Sequence, residues 1–288
     1  MNRSSALAIP RTGNHPRHFG HAVSVEASRR FSKSSAGRRR LLVALLCLLA
    51  AVPGHAGLVD VIAVAKRSIA AVGTYNATDN PRFGFRGSGF VVGDGNFLIT
   101  NAHVLPPEWA GGDSKPALVV LVTSDAGTVE MRPAVVSRLD ASHDLALLRF
   151  EGRPLPALRI AEDKDIREGL SIALMGFPIG GVLGFKTVTH RGIISSITAV
   201  ALPTPTSQQL NEKTVRRLRE GSFDIYQLDA TAYPGNSGGP VLDADTGAVV
   251  GVLNMVLVKG TKESALSQPT GISYAVPARF VDELLRRP

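Results

Sequence analysis

From Ile69 onward the chain is a succession of short apolar runs separated by small polar residues. The first set comprises Ile69–Val72, Gly89–Val92, Asn96–Thr100, Ala117–Thr123, Ala134–Arg138 and Leu145–Phe150. The second comprises Ser171–Met175, Thr187–Ile197, Asp224–Asp229, Pro240–Leu242, Ala248–Val258 and Gly271–Val276. Runs this short, rich in Val, Ile, Leu and Phe and punctuated by groups such as Gly93-Asp94-Gly95-Asn96, predict β-strands rather than helices. Many short strands at regular spacing predict an all-β fold, as barrels or a sandwich. Pro154, Pro156 and the charged stretch Glu162–Glu168 separate the two sets and read as a connection. Leu58–Arg67 suits a short helix before the first strand, and Phe280–Arg287 a short helix after the last.

The formal charge of +8 changes little once it is located. Of the 32 Lys and Arg, nine lie in residues 1–56 beside one acid, Glu26, which leaves 23 bases and 23 acids from residue 57 on. The remainder has no bulk charge with which to attract nucleic acid or anionic lipid. The basic part has the order of a targeting segment: Arg38-Arg39-Arg40, the apolar run Leu41–Val52, then Pro53-Gly54-His55-Ala56 with small residues placed for cleavage after Ala56. This predicts export to the periplasm or outside the cell. The alternative is a membrane anchor over residues 41–52, although that run is short of the roughly 20 residues a spanning helix needs. Ser28-Arg29-Arg30-Phe31 loosely fits a twin-arginine signal, and the Ser- and Arg-rich start also resembles a mitochondrial transit peptide. The single cysteine, Cys47, lies inside the apolar run, so no thiol or disulfide is expected after cleavage.

Candidate chemistry begins at Gly235-Asn236-Ser237-Gly238-Gly239-Pro240. A serine between glycines suits a tight exposed turn. There the N–H groups of Gly235 and Ser237, on either side of Asn236, would point at a developing oxyanion. The same residues also make ordinary turns. Upstream, His103 follows the strand-like Phe97-Leu98-Ile99, and Asp144 opens the run to Leu148. His103, Asp144 and Ser237 supply a base, an acid that orients it and a nucleophile. Their order, His…Asp…Ser, is that of chymotrypsin-like proteases and counts against an esterase of the α/β-hydrolase type, in which the serine comes first. Strand alternation would turn His143 away from Asp144, and His190 has no visible acid partner, so both are expected to be structural. Asp243-Ala244-Asp245-Thr246-Gly247 lacks the remaining ligands of a calcium loop and is expected to be a hairpin turn. No metal site or cofactor is expected.

Taken together, these segments resemble the protease domain of the HtrA/Deg family. The resemblance rests on Gly87-Ser88-Gly89-Phe90-Val91-Val92, Thr100-Asn101-Ala102-His103-Val104, His143–Leu148, Gly176-Phe177-Pro178 with Thr187–Ser195, Asp229-Ala230 with Pro234–Pro240, and Gly271–Pro277. It implies two six-stranded antiparallel β-barrels within 57–288, the first at about 68–155 and the second at about 170–277, with the active site in the cleft between them. It also implies a serine endopeptidase acting on unfolded or damaged polypeptides through an acyl-enzyme, and a homotrimer. The competing reading is a non-catalytic polypeptide-binding or chaperone protein on the same fold. By the same resemblance, Thr231, Val252, Leu253, Asn254 and Met255 line the pocket for the residue before the scissile bond. No acid stands where trypsin has one, which favours small or medium aliphatic residues. His190 and Ser273 depart from the family's usual small residue and glycine. Eleven residues follow Pro277, too few for a PDZ domain. Pro203–Phe223 is either a solvated excursion or an activation or oligomer-contact loop.

Overall fold

The apolar runs become strands in two closed antiparallel barrels. The computed structural model describes residues 57–106, 116–124, 127–180, 184–199, 223–254 and 271–287. In the first barrel, β1 (Ile69–Tyr75), β2 (Phe83–Val92), β3 (Phe97–Asn101), β4 (Ala117–Thr123), β5 (Val129–Asp140) and β6 (Leu145–Phe150) close in the order β1-β2-β3-β6-β5-β4. In the second, β7 (Ser171–Gly176), β8 (Val188–Ala199), β9 (Asp224–Asp229), β10 (Pro240–Asp243), β11 (Val249–Leu253) and β12 (Ile272–Pro277) close in the order β10-β11-β12-β9-β8-β7. Both belong to one compact unit, Gly54–Pro288; the leader, residues 1–56, lies outside the described residues.

Two-residue periodicity explains where each apolar side chain goes. On β1, Ala70 and Val72 fill the first barrel together with Val91, Leu98, Val120 and Leu148. Their neighbours Ile69 and Ala71 face outward into a separate core with Phe90, Ile99, Leu145 and Leu147. That core also takes Ala173, Met175, Leu242, Val249, Val252 and Val276 from the second barrel. The second barrel's own interior holds Ile172, Leu174, Ile194, Tyr226, Leu228 and Val250. Strands at the seam are thus buried on both faces, which is why they appear in sequence as unbroken apolar runs. The hairpin Asp243–Gly247 is turned by the Asp243 carboxylate, which accepts from the main-chain N–H groups of Asp245 at 2.8 Å and Thr246 at 3.2 Å.

Strand boundaries differ from expectation where burial is one-sided. β2 begins at Phe83, well before Gly89, and β5 begins at Val129, before Ala134. In both extensions exposed and half-buried positions predominate, so no apolar run marks them. Helix α1 (Leu58–Ala65) buries Val61 and Ala65 and passes into a single 3₁₀ turn, Lys66–Ser68. Helix α2 (Arg279–Arg286) buries Phe280, Val281 and Leu284. Among the described residues no helix is long and apolar enough to cross a membrane.

Leu174 is fully buried inside the second barrel. Leu174→Ala should lower unfolding free energy by about 2–5 kcal/mol. Val59→Ala, on the exposed face of α1, should change it by no more than about 0.5 kcal/mol. Urea unfolding followed by circular dichroism checks both.

Candidate active site at the barrel seam

At the end of β3 the chain leaves the barrel in a 3₁₀ turn, Ala102–Val104, that carries His103. Arg86 secures this turn by donating from Nε to the Val104 carbonyl at 2.5 Å and from Nη2 to the Leu105 carbonyl at 3.1 Å. Asp144 sits in the tight turn between β5 and β6 with φ 55, a left-handed conformation unusual for a residue with a side chain. Its carbonyl accepts from Ala102 N–H at 3.0 Å and from Asn101 Nδ2 at 3.1 Å, which joins the two turns. Its carboxylate then meets His103 twice: Oδ1 accepts the main-chain N–H at 2.9 Å, and Oδ2 lies 2.6 Å from Nδ1. The second contact leaves Nε2 as the free face of the imidazole.

A third donor reaches the carboxylate from the other barrel. Asn254, at the end of β11 and fully buried, donates from Nδ2 to Asp144 Oδ2 at 2.8 Å. The sequence places Asn254 in a substrate pocket; its amide is engaged with the acid. Val252 and Leu253 are buried as well, one in the seam core and the other in the second-barrel interior. Thr231 is half-buried, and Met255 lies outside the described residues.

Ser237 lies on the loop between β9 and β10, against the first barrel. Its carbonyl accepts the Ser88 N–H at 2.8 Å. The Ser88 hydroxyl accepts from Phe177 N–H at 3.0 Å and donates to the Gly235 carbonyl at 2.7 Å. The Ser88 carbonyl in turn accepts from Thr100 Oγ1 at 2.7 Å. Contact here is close enough to exclude side chains. A Cβ on Gly87 would lie 2.7 Å from Val104 Cγ2 and 3.0 Å from the Ser237 carbonyl. A Cβ on Gly238 (φ 84) would collide with the Ser88 carbonyl and Thr100 Oγ1. Glycine at 238 is therefore required on two counts, backbone angle and space.

The turn before Ser237 is held from both sides. Asn236 N–H donates to the Tyr233 carbonyl at 3.0 Å, so that group serves the turn itself. Ile179 N–H donates to the Pro234 carbonyl at 2.8 Å. Because a trans peptide carries C=O and N–H on opposite sides, this aims the Gly235 N–H away from Ile179. Gly235 has φ 102 and would place a Cβ against the Phe177 carbonyl and the Phe85 ring.

His143 does not act on His103. Strand alternation is not the reason, because His143 and Asp144 precede β6 in the turn. His143 donates its N–H to Asp140 Oδ1 at 3.1 Å, its Nδ1 is 3.0 Å from Oδ2, and its ring stacks on Phe280 with centroids 3.7 Å apart. Asp140 is buried and also meets Arg287 Nη2 at 2.6 Å. Burial pushes its carboxyl upward, but the bonds and charge of His143 and the bond of Arg287 outweigh this and hold it well below the usual carboxylate range. His190 is half-buried, and burial lowers its basicity. Sequence reasoning missed Ser88, Asn101, Asp140 and Arg287. Ser88 and Asn101 lie inside the Gly87–Val92 and Thr100–Val104 motifs, yet nothing local shows what they hold.

Two closed β-barrels with a bonded His–Asp pair beside a glycine-bound serine loop define a chymotrypsin-like double-barrel protein. Residues 87–252 match the model of the trypsin-like peptidase domain, and the chain belongs to that family. It is 32% identical over 202 residues to "Serine protease HTRA2, mitochondrial" of Drosophila willistoni, covering 70% of this chain and 38% of the relative. The chain therefore spans about two-fifths of the length of the curated relatives it matches. Among solved structures it is similar to Deg5 (24% identity, TM-score 0.55, covering 78% of this chain and 90% of that one). It is also similar to the HtrA-type protease AlgW with a decapeptide (22% identity, TM-score 0.56, covering 80% and 67%). At those identities the structures show a shared fold.

Ser88→Ala would leave the half-buried Gly235 carbonyl and the buried Phe177 N–H without their Ser88 partner, and should cost about 1–3 kcal/mol in chemical unfolding. Asp140 has a depressed folded pKa. Its contribution to stability is therefore present above its unfolded value of about 3.9 and lost as pH falls toward the folded one. Urea midpoints measured from about pH 6 to about pH 3 should fall more steeply for the wild type than for Asp140→Asn.

Proposed function

We propose that this chain is an exported serine endopeptidase in which Ser237 is the nucleophile, His103 the base and Asp144 the group that orients it. His103 Nε2 takes the proton of Ser237 Oγ as the oxygen attacks a peptide carbonyl. The tetrahedral oxyanion is held by the N–H groups of Gly235 and Ser237. Collapse releases the amine, which takes the proton from His103, and leaves an acyl-enzyme that water then hydrolyses by the same steps. Asp144 keeps the Nδ1 tautomer fixed and stabilises the imidazolium formed in between.

The observation that carries this reading is the contact of 2.6 Å between His103 Nδ1 and Asp144 Oδ2, in a turn that packs beside the Ser237 loop. Trypsin-like family membership supports the hydrolytic class, and the named serine proteases among the relatives support it further. Unfolded or damaged polypeptides are the proposed substrates, with small or medium aliphatic residues before the scissile bond at a pocket that includes Thr231. Export, cleavage after Ala56 and a trimeric assembly complete the proposal. They rest on the leader's pattern and on the HtrA/Deg resemblance.

Ser237→Ala should reduce hydrolysis of casein by at least about 1000-fold while leaving the fold intact. Wild-type Ser237 should be labelled by a fluorophosphonate. A wild type that cleaves nothing, or a variant that cleaves equally well, returns the chain to the polypeptide-binding reading.

A further inference from the structure

We propose that Arg287, Asp140 and His143 form a latch that positions Asp144, coupling the end of helix α2 to the acid of the active site. The inference rests on the role given to Asp144 above.

The turn from Asp140 to Asp144 is organised around one buried carboxylate. Asp140 Oδ1 accepts from the main-chain N–H groups of Ser142 and His143, each at 3.1 Å. Its Oδ2 takes the His143 ring nitrogen at 3.0 Å and the Arg287 guanidinium at 2.6 Å. These contacts set the path of the chain through Ser142 and His143, and so the point at which Asp144 enters its left-handed conformation. Such a backbone is locally unfavourable and persists only where its surroundings hold it. The Asp144 carboxylate must satisfy two His103 contacts from that conformation.

Arg287 reaches the turn because α2 is fixed over it. Phe280, Val281 and Leu284 are buried, and Arg138 on β5 donates to the Leu285 carbonyl at 3.5 Å. The Phe280 ring lies on the His143 ring, 18° from parallel. Phe223, at the start of the chain's entry into β9, meets both rings edge-on, at 4.7 Å from His143 and 5.4 Å from Phe280. The latch is therefore a packed cluster with a charged bond at its centre.

Arg286 is the natural control. It stands one residue earlier, pairs with Asp282 on the same helix, and its side chain is 78% exposed. Removing Arg287 leaves Asp140 buried with its shortest contact gone, and the turn relaxes. Displacement of a catalytic group by about 1 Å can cost on the order of 100-fold in rate. A partial relaxation should cost about tenfold.

The test combines kinetics with the downfield proton resonance of His103 Nδ1–H, which reports the His103–Asp144 bond whether or not substrate is turned over. Arg287→Ala should lower kcat about tenfold per fluorophosphonate-titrated site at unchanged KM, and should shift that resonance. Arg287→Lys, which keeps a donor and a charge, should recover most of both, and Arg286→Ala should change neither. Arg287→Gln serves as the second variant if Arg287→Ala does not fold. A resonance and kcat unchanged in Arg287→Ala or Arg287→Gln overturn the latch, as does a lowered kcat with the resonance unmoved. A wild type without hydrolysis overturns the protease reading instead, while the resonance still decides the latch.

Discussion

The hydrogen bond from Ser88 N–H to the Ser237 carbonyl, 2.8 Å long, is where the two barrels become one site. Each barrel closes its own ladder, so neither needs the other for backbone pairing. Ser88 breaks that independence. Its N–H, hydroxyl and carbonyl engage Ser237, Gly235 with Phe177, and Thr100 in turn. Two of these links fall on the loop bearing Ser237 and one on β3, which leads to His103. Gly87 and Gly238 bring the backbones close enough for this, and any side chain at either position would push them apart. A residue with no chemical role of its own thus sets the distance across which the chemistry operates.

The seam core gives this contact its rigidity. Phe90, Ile99 and Leu147 from one barrel share one buried apolar cluster with Met175, Val249 and Val252 from the other. Close packing of that kind transmits displacement instead of absorbing it. The packed seam therefore holds the two halves of the site against one another.

Much of this was legible in the chain. Strands buried on both faces announce themselves as apolar runs, and Gly235–Pro240 announces a tight loop because glycine takes the backbone angles found at Gly235 and Gly238. The HtrA/Deg resemblance is consistent with the double barrel and with the trypsin-like family match. What stayed hidden has a common physical cause. The first half of β2 and the start of β5 face solvent, so burial leaves no pattern in them. Asn254 reads as a pocket residue until the second barrel is folded against Asp144. Arg287 is 147 residues from Asp140, and its pairing exists only once α2 has docked. Hydrophobic periodicity encodes where a segment is buried; it does not encode which polar group waits at the far end of the chain.

The placement of Asp144 shows why such distant partners matter. A left-handed backbone at a residue with a side chain is locally unfavourable, by on the order of 1–3 kcal/mol. Nothing in the residues from Asp140 to Asp144 would choose it unaided. Ala102 and Asn101 hold its carbonyl, His103 and Asn254 hold its carboxylate, and Asp140 shapes the approach. The donors come from β3 and the turn after it and from the end of β11, in two different barrels. A conformation supported from so many directions survives the loss of one weak contact but not the separation of the barrels. The same contacts that stabilise the strained turn aim its carboxylate at His103, so at this position folding and the geometry of the site are one constraint.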